Sequence, residues 1–322
     1  MKFAVLGAGA IGAYVGAALA RGGSDVTLIA RGEHLRAMQT RGVRVESPRG
    51  DFTIQVPATS DFGAIADADV IFVGLKAQSL PEVAPELGKM LRPDAVVIGA
   101  QNGIPWWYFR CHGGRLDGHH LQSTDPDGAV SGAIPVGNVV GCVIYCSTEL
   151  TAPGVVRHIE GTRFVIGTPG GDITEQTRAI STAFTAAGLK CPSTTNLREQ
   201  IWLKLIGNAA FNPITTITRT TMGELASSPS AVACARAVME ESAAVAESLG
   251  IEFRVSIDRR LEGALSVGDH KTSMLVDWEA GKSLELECMT GAIIEIAELV
   301  SVPVPTVRTL HALTKAVAEL RP

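Results

Sequence analysis

The residues with the clearest chemical meaning stand near the start of the chain. Gly7, Ala8, Gly9, Ala10, Ile11 and Gly12 form a G-x-G-x-x-G run directly after the apolar residues 3–6. Each glycine answers a separate demand. Gly7 permits a tight turn, Gly9 lets a pyrophosphate approach the backbone, and Gly12 lets a helix lie close to the preceding strand. A helix opening at Ala10 and Ile11 offers unsatisfied N–H groups and a partial positive charge to phosphate. The chemistry is dinucleotide binding. The end of the next apolar run, 26–30, bears on which dinucleotide. An acid at that point grips a ribose 2′-hydroxyl, whereas this chain has Arg31, which suits a 2′-phosphate. NADP(H) is therefore expected. The alternative is that Arg31 is an ordinary surface cation and Glu33 takes the ribose.

Four further groups lie downstream. Lys76 follows the apolar run 70–75, and Gln101, Asn102 and Gly103 follow 96–100. Both sit at the carboxyl ends of expected parallel strands, the edge where such sheets bind ligands, although either could be only a turn. Lys204, Asn208 and Asn212 recur at i, i+4 and i+8. They drift only ~80° around a helix axis and so share one face. In the plainer reading they are a solvated face, with Asn212 ending the helix before Pro213. Glu285 opens a largely apolar helical stretch, a place that favours an acid in any case.

These residues need a frame. The run 3–6, the glycine turn, a helix over 10–20 closed by Gly22 and Gly23, and a strand over 26–30 make one βαβ unit. Strands at 69–75 and 95–99, around a helix at 80–91, continue the alternation. The pattern implies a parallel sheet with helices on both faces. Residues 104–135 break the rhythm and carry Trp106, Trp107, Tyr108 and Phe109. Strand-like runs resume at 139–147, 155–160 and 163–167, and a helix at 174–187 precedes a boundary near Ser193. Beyond it the chain reads as helices at 197–211, 229–249, 255–265 and 284–299. The expected fold class is α/β: an N-terminal Rossmann-type parallel-sheet domain, 1–193, followed by an all-α domain, 194–322. There is no internal repeat.

Composition removes other classes. The 322 residues suffice for about two domains. Hydrophobic residues make up 46% and charged residues 19%, which excludes a disordered chain. A net charge of −5 and 5% aromatic residues give no nucleic-acid footprint. No run reaches the ~18 apolar residues of a membrane span. Residues 1–6 look a little like the start of a signal peptide, but the glycines and the lack of a cleavage site read as a first strand and its turn. A cytoplasmic protein is expected, and with it no disulfides among the six cysteines. Cys111, His112, His119 and His120 lack the regular spacing of a zinc site, so no metal is expected.

At this point the residues carry a resemblance to the ketopantoate reductase (2-dehydropantoate 2-reductase) family. The loop from Gly7 to Gly12, Lys76, and Gln101-Asn102-Gly103 resemble its cofactor half. Ile201, Trp202, Lys204, Leu205, Asn208, Asn212 and Pro213 resemble its signature helix. Ser273, Met274, Leu275 and Asp277, with Glu285 twelve residues after Ser273, resemble its closing motif. Pro303 and Pro305 then lead into a last helix, as is usual there.

The resemblance implies NADPH-dependent reduction of ketopantoate to (R)-pantoate, a step toward pantothenate and coenzyme A. It implies Lys204 as the general acid and Glu285 as a group that positions the reacting oxygen. Asn102, Asn208, Asn212 and Ser273 would hold the substrate; Gly7, Gly9, Ala10, Ile11, Gly12, Arg31, Lys76 and Asn102 would hold NADP(H). The chemistry agrees independently: hydride reaching a 2-oxo carbon leaves negative charge on oxygen, which an ammonium stabilises and protonates. The partner is a small 2-oxo acid, with no nucleic acid or membrane, and a homodimer is left open.

The chain departs from the family at Thr290, where asparagine is common, at His270, and in the length of 104–135. Trp106 to Phe109 could border a substrate pocket, or be a packed loop or an oligomer contact. Two other readings compete. One keeps the fold and acts on another branched or aromatic 2-oxo acid, as in the similar D-mandelate dehydrogenases, which favour NAD against the sense of Arg31. The other is a catalytically silent NADP(H)-sensing protein, which would need neither Lys204 nor Glu285.

Overall fold

Phe3, Ala4, Val5 and Leu6 are all buried, on both faces of the strand. A strand with no polar face must lie inside a covered sheet, and here it lies between two parallel neighbours. The computed structural model describes residues 1–265 and 268–321. Its sheet has nine strands: β1 (Lys2–Leu6), β2 (Asp25–Ile29), β3 (Val43–Glu46), β4 (Phe52–Ile54), β5 (Ala58–Thr59), β6 (Val70–Val73), β7 (Val96–Gly99), β8 (Val139–Ala152) and β9 (Val155–Gly167). They run in the order β4-β3-β9-β8-β7-β6-β1-β2-β5. From β5 to β8 every pairing is parallel. The far side is mixed: β9 is antiparallel to β8, β3 is parallel to β9, and β4 is antiparallel to β3. The sheet is thus mostly rather than wholly parallel.

Two compact units make up the chain. The first comprises Met1–Gln101, Pro105–His120 and Asp125–Leu197; the second comprises Asn102–Ile104, Leu121–Thr124 and Arg198–Pro322. The first holds the sheet with helices α1 (Ala10–Arg21), α2 (Gly32–Arg41), α3 (Leu80–Met90), α4 (Ala129–Ala133) and α5 (Glu175–Ala186). Its core joins Val5, Val15, Leu19 and Leu28 to Phe72, Ile98, Phe164 and Phe184. The second is helical: α6 (Leu197–Thr218), α7 (Met222–Ala226), α8 (Pro229–Ser248), α9 (Ile257–Leu265), α10 (Ser273–Glu279), α11 (Ala292–Val300) and α12 (Pro305–Glu319). There α8 packs against α7, α9, α11 and α12. No helix among the described residues is long and apolar enough to cross a membrane.

Three local expectations need correction. The strands expected at 155–160 and 163–167 are one strand, β9. Gly161 lies between them at φ +72°, and the pairing with β8 shifts register between Tyr145 and Ser147, so a bulge takes the place of a break.

The helix carrying Lys204 does not stop at Asn212. It runs through Pro213 to Thr218, although an internal proline costs about 3 kcal/mol. Burial of Phe211, Asn212, Ile214, Thr215 and Thr216 opposes that cost. The threonine hydroxyls also serve the carbonyls of this stretch. Thr215 Oγ1 donates to Phe211 O at 2.8 Å, and Thr216 Oγ1 donates to Asn212 O at 2.7 Å.

The last helix but one begins at Glu287, not near Leu284, so Glu285 precedes it. Its first turn, Glu287–Gly291, is π-helical and leads directly into α11. Gly291 N–H reaches back five residues to Leu286 O at 3.2 Å, the bond that defines this wider turn.

Candidate active site

In the first unit, strand register decides what meets at the sheet edge. Leu6 pairs with both Ile29 and Val73, and Val73 pairs with Gly99. The carboxyl ends of β2, β1, β6 and β7 therefore lie level. The segments that follow them carry Arg31, the Gly7–Gly12 loop, Lys76 and Gln101, all on one edge. Gln101 Nε2 donates to Val73 O at 3.0 Å and to Leu75 O at 3.3 Å, tying the turn after β7 to the turn after β6.

The glycine loop behaves as three different devices. Gly7 has φ +88°, and a Cβ there would sit 2.6 Å from Leu75 Cδ2. At Gly12 a Cβ would sit 2.3 Å from the Gly7 carbonyl oxygen, so strand and helix touch backbone to backbone. At Gly9 a Cβ would meet nothing within 4 Å. Glycine there is not required by the protein's own packing, so the open space suits an outside group. The α1 N-terminus beside it has no side-chain cap. An uncapped helix N-terminus facing an open glycine is a fitting cradle for a pyrophosphate. Gly74, which the motif does not name, belongs to the same device: its Cβ would lie 2.7 Å from Gly7 O. Its position just after β6 was the available signal.

Arg31 is exposed and occupies the N-cap position of α2. No acid stands at the end of β2. Lys76 is half-buried and precedes a short 3₁₀ turn, Ala77–Ser79. His34, on the first turn of α2, was not foreseen. Its Nε2 lies 2.8 Å from Ala8 O in the glycine loop, and burial lowers its pKa below the ordinary 6.5.

In the second unit, Lys204 Nζ donates to Asn102 Oδ1 at 2.8 Å, and Asn102 Nδ2 donates to Glu285 Oε2 at 3.2 Å. The amide orientation is chemically unambiguous, because an ammonium only donates and a carboxylate only accepts. All three side chains belong to half-buried residues. Asn102 is held by its neighbours. Gly103 has φ +81° and its Cα hydrogens face the Cys288 carbonyl so closely that a Cβ would come within 2.2 Å of that oxygen. Ile104 N–H donates to the same carbonyl at 2.8 Å. The π turn that follows Glu285 thus anchors the segment that presents Asn102.

The remaining expected residues are less closely joined. Asn208 is half-buried one turn after Lys204. Asn212 is buried, and its Nδ2 points to Met289 Sδ at 3.7 Å. Ser273 is exposed at the start of α10. The aromatic run is interior packing of the first unit: Trp106, Trp107, Tyr108 and Phe109 are all buried. Trp107 lies over β8, where a Cβ on Gly141 would strike its ring. Among the described residues, no group of three His, Cys, Asp or Glu is placed to hold a metal.

Comparison with known proteins identifies the family and the fold. Residues 3–106 match the family model described as Ketopantoate reductase PanE/ApbA, and residues 196–318 match its C-terminal counterpart. A 2-dehydropantoate 2-reductase of Mesorhizobium japonicum is 39% identical over 319 residues, spanning 99% of this chain and 98% of its own. A solved chain from Ralstonia solanacearum MolK2 superimposes with a TM-score of 0.93 at 35% identity, over 99% of this chain and 98% of that one. D-mandelate dehydrogenase, solved with NADH and anilino(oxo)acetate, gives a TM-score of 0.84 at 21% identity over 99% of both chains, a likeness of fold alone.

Proposed function

The chain belongs to the ketopantoate reductase family, and we propose that it reduces 2-dehydropantoate to (R)-pantoate with NADPH, supplying pantoate for pantothenate and coenzyme A synthesis. The observation that carries this reading is the bonded series Lys204–Asn102–Glu285. A silent dinucleotide sensor has no use for it. Arg31, with no acid at the end of β2, supports NADPH over NADH.

The bound dinucleotide supplies the hydride to the 2-oxo carbon. The protein's task is then to manage the oxygen. Lys204 places a positive charge and a proton where that oxygen becomes negative, and transfers the proton as the alkoxide forms. Asn102 keeps the ammonium in place through the 2.8 Å bond. Glu285 fixes the Asn102 amide from its other end and so helps position the reacting oxygen. Asn208, Asn212 and Ser273 complete the substrate set in this reading. In the first unit, the N–H groups at the start of α1 and the open side of Gly9 receive the pyrophosphate, Arg31 the 2′-phosphate, and Lys76 stands on the same sheet edge.

The test is NADPH oxidation by the purified protein with ketopantoate and a panel of bulkier 2-oxo acids, repeated with NADH. Ketopantoate with NADPH should be the preferred pair. Preference for a bulkier acid would remove the substrate from this proposal and leave the chemistry.

A further inference from the structure

His34 makes two hydrogen bonds that together fix its proton. Gly154 N–H donates to Nδ1 at 2.9 Å, so Nδ1 is an acceptor and carries no hydrogen. The other nitrogen, Nε2, therefore holds the proton and donates it to Ala8 O at 2.8 Å. Ala8 is the residue between the first two glycines of the loop. In a trans peptide the C=O and the following N–H point in opposite directions. Holding the Ala8 carbonyl on one side thus aims the Gly9 N–H to the other.

The anchor on the far side of the imidazole is firm. Gly154 closes the β8–β9 turn at φ +80°. Its carbonyl accepts from Arg44 N–H of β3 at 2.9 Å, and Arg41 Nη2 of α2 donates to Pro153 O at 3.3 Å. The turn is fastened to two elements before it reaches His34. Ala8 N–H is fastened separately, to Ile29 O at 3.0 Å. The Ala8 carbonyl is the part of the loop that His34 decides.

We propose that His34 is a positioning residue for the dinucleotide loop: it fixes the Ala8–Gly9 peptide plane against the β8–β9 turn, so that the Gly9 amide is aimed at the pyrophosphate before the dinucleotide arrives. The proposal rests on the cofactor reading above. It makes pre-orientation of one loop peptide, rather than a direct contact, the source of part of the dinucleotide affinity.

Two substitutions separate the halves of the imidazole. In His34→Gln the side-chain Nε2 stands where the histidine Nε2 stood and can still donate to Ala8 O. In His34→Asn the shorter amide can meet Gly154 N–H but not Ala8 O. NADPH and NADH are titrated by dinucleotide fluorescence, with kinetics and amide hydrogen exchange over residues 7–12 alongside. His34→Asn should bind about tenfold more weakly, as expected for losing one hydrogen bond to a buried acceptor. KM for the dinucleotide should rise with kcat nearly unchanged, and exchange at Ala8, whose N–H is bonded to Ile29 O, should quicken without ligand. His34→Gln should restore all three. The proposal is overturned if His34→Asn binds and exchanges like the wild type, or if both variants weaken equally with a matching fall in Tm. If the wild type binds neither dinucleotide, the cofactor reading fails instead, while exchange at Ala8 still decides whether His34 holds the loop.

Discussion

Lys204 Nζ and Asn102 Oδ1 are 2.8 Å apart although 102 positions separate them in the chain. One is a residue of a long helix, and the other belongs to a three-residue segment that follows a β-strand. Their bond makes the amide a link between a cation and the Glu285 carboxylate. The geometry gives each member a separable role, which substitutions can read out.

Removing the proton donor should cost most. Lys204→Ala is expected to lower kcat by ~10²–10⁴-fold, the usual range for a lost general acid. Its circular dichroism and Tm should stay close to the wild type, since Lys204 is only half-buried. Turnover near normal in a folded variant would exclude Lys204 as the acid.

Asn102→Ala leaves both charged groups in place but removes what spaces them. A loss of about 10–100-fold in kcat is expected, because small misplacements of a reacting group cost up to ~10². A double-mutant cycle with Glu285→Gln should be non-additive, since the two residues share one bonded series. Strict additivity would show that the link carries no coupling.

The glycines of the loop should fail in different ways. Gly9→Ala adds a methyl group to open space, so Tm should hold while dinucleotide binding is lost. Gly12→Ala drives a Cβ to 2.3 Å from the Gly7 carbonyl, and overpacking of this kind costs about 1–3 kcal/mol. Thermal melts beside NADPH titrations distinguish the two. Equal melts would contradict the packing role assigned to Gly12.

Arg31→Ala should weaken NADPH by about 10–100-fold and leave NADH nearly unchanged, as expected for losing a charge-assisted bond to a 2′-phosphate. Parallel losses for both dinucleotides would return Arg31 to the status of a surface cation.

Acid should destabilise the first unit through His34. Burial, opposed by the Ala8 carbonyl, lowers its pKa in the folded state. The unfolded chain then binds more protons than the folded one once pH falls below the ordinary 6.5. Stability from this group is fully present above that value and declines as pH drops toward the lowered folded pKa. His311 acts with the same sign, its pKa lowered chiefly by burial. Urea midpoints measured from pH 7.5 to 5 should fall for the wild type and fall less for His34→Gln. Parallel curves would show that His34 does not contribute.

The sequence by itself determined what depends on neighbours along the chain. Glycine spacing after an apolar run, alternation of strand and helix through 99, and the helical character beyond 197 are set by backbone preferences and local apolar periodicity. Tertiary structure decided the rest. Pro213 reads as a helix end because its local cost is visible, whereas the burial of Phe211, Ile214 and Thr215 that overrides it is not. Gly161 reads as a break between strands because only pairing with β8 turns it into a bulge. Glu285 reads as a helix start because local apolar pattern does not show that the first turn is π-helical and begins only at Glu287, with Gly291 N–H bonded to Leu286 O. The meetings of His34 with Ala8 and of Lys204 with Asn102 left no local trace. Each joins groups distant in sequence, through hydrogen bonds whose partners exist only once strands and helices have packed.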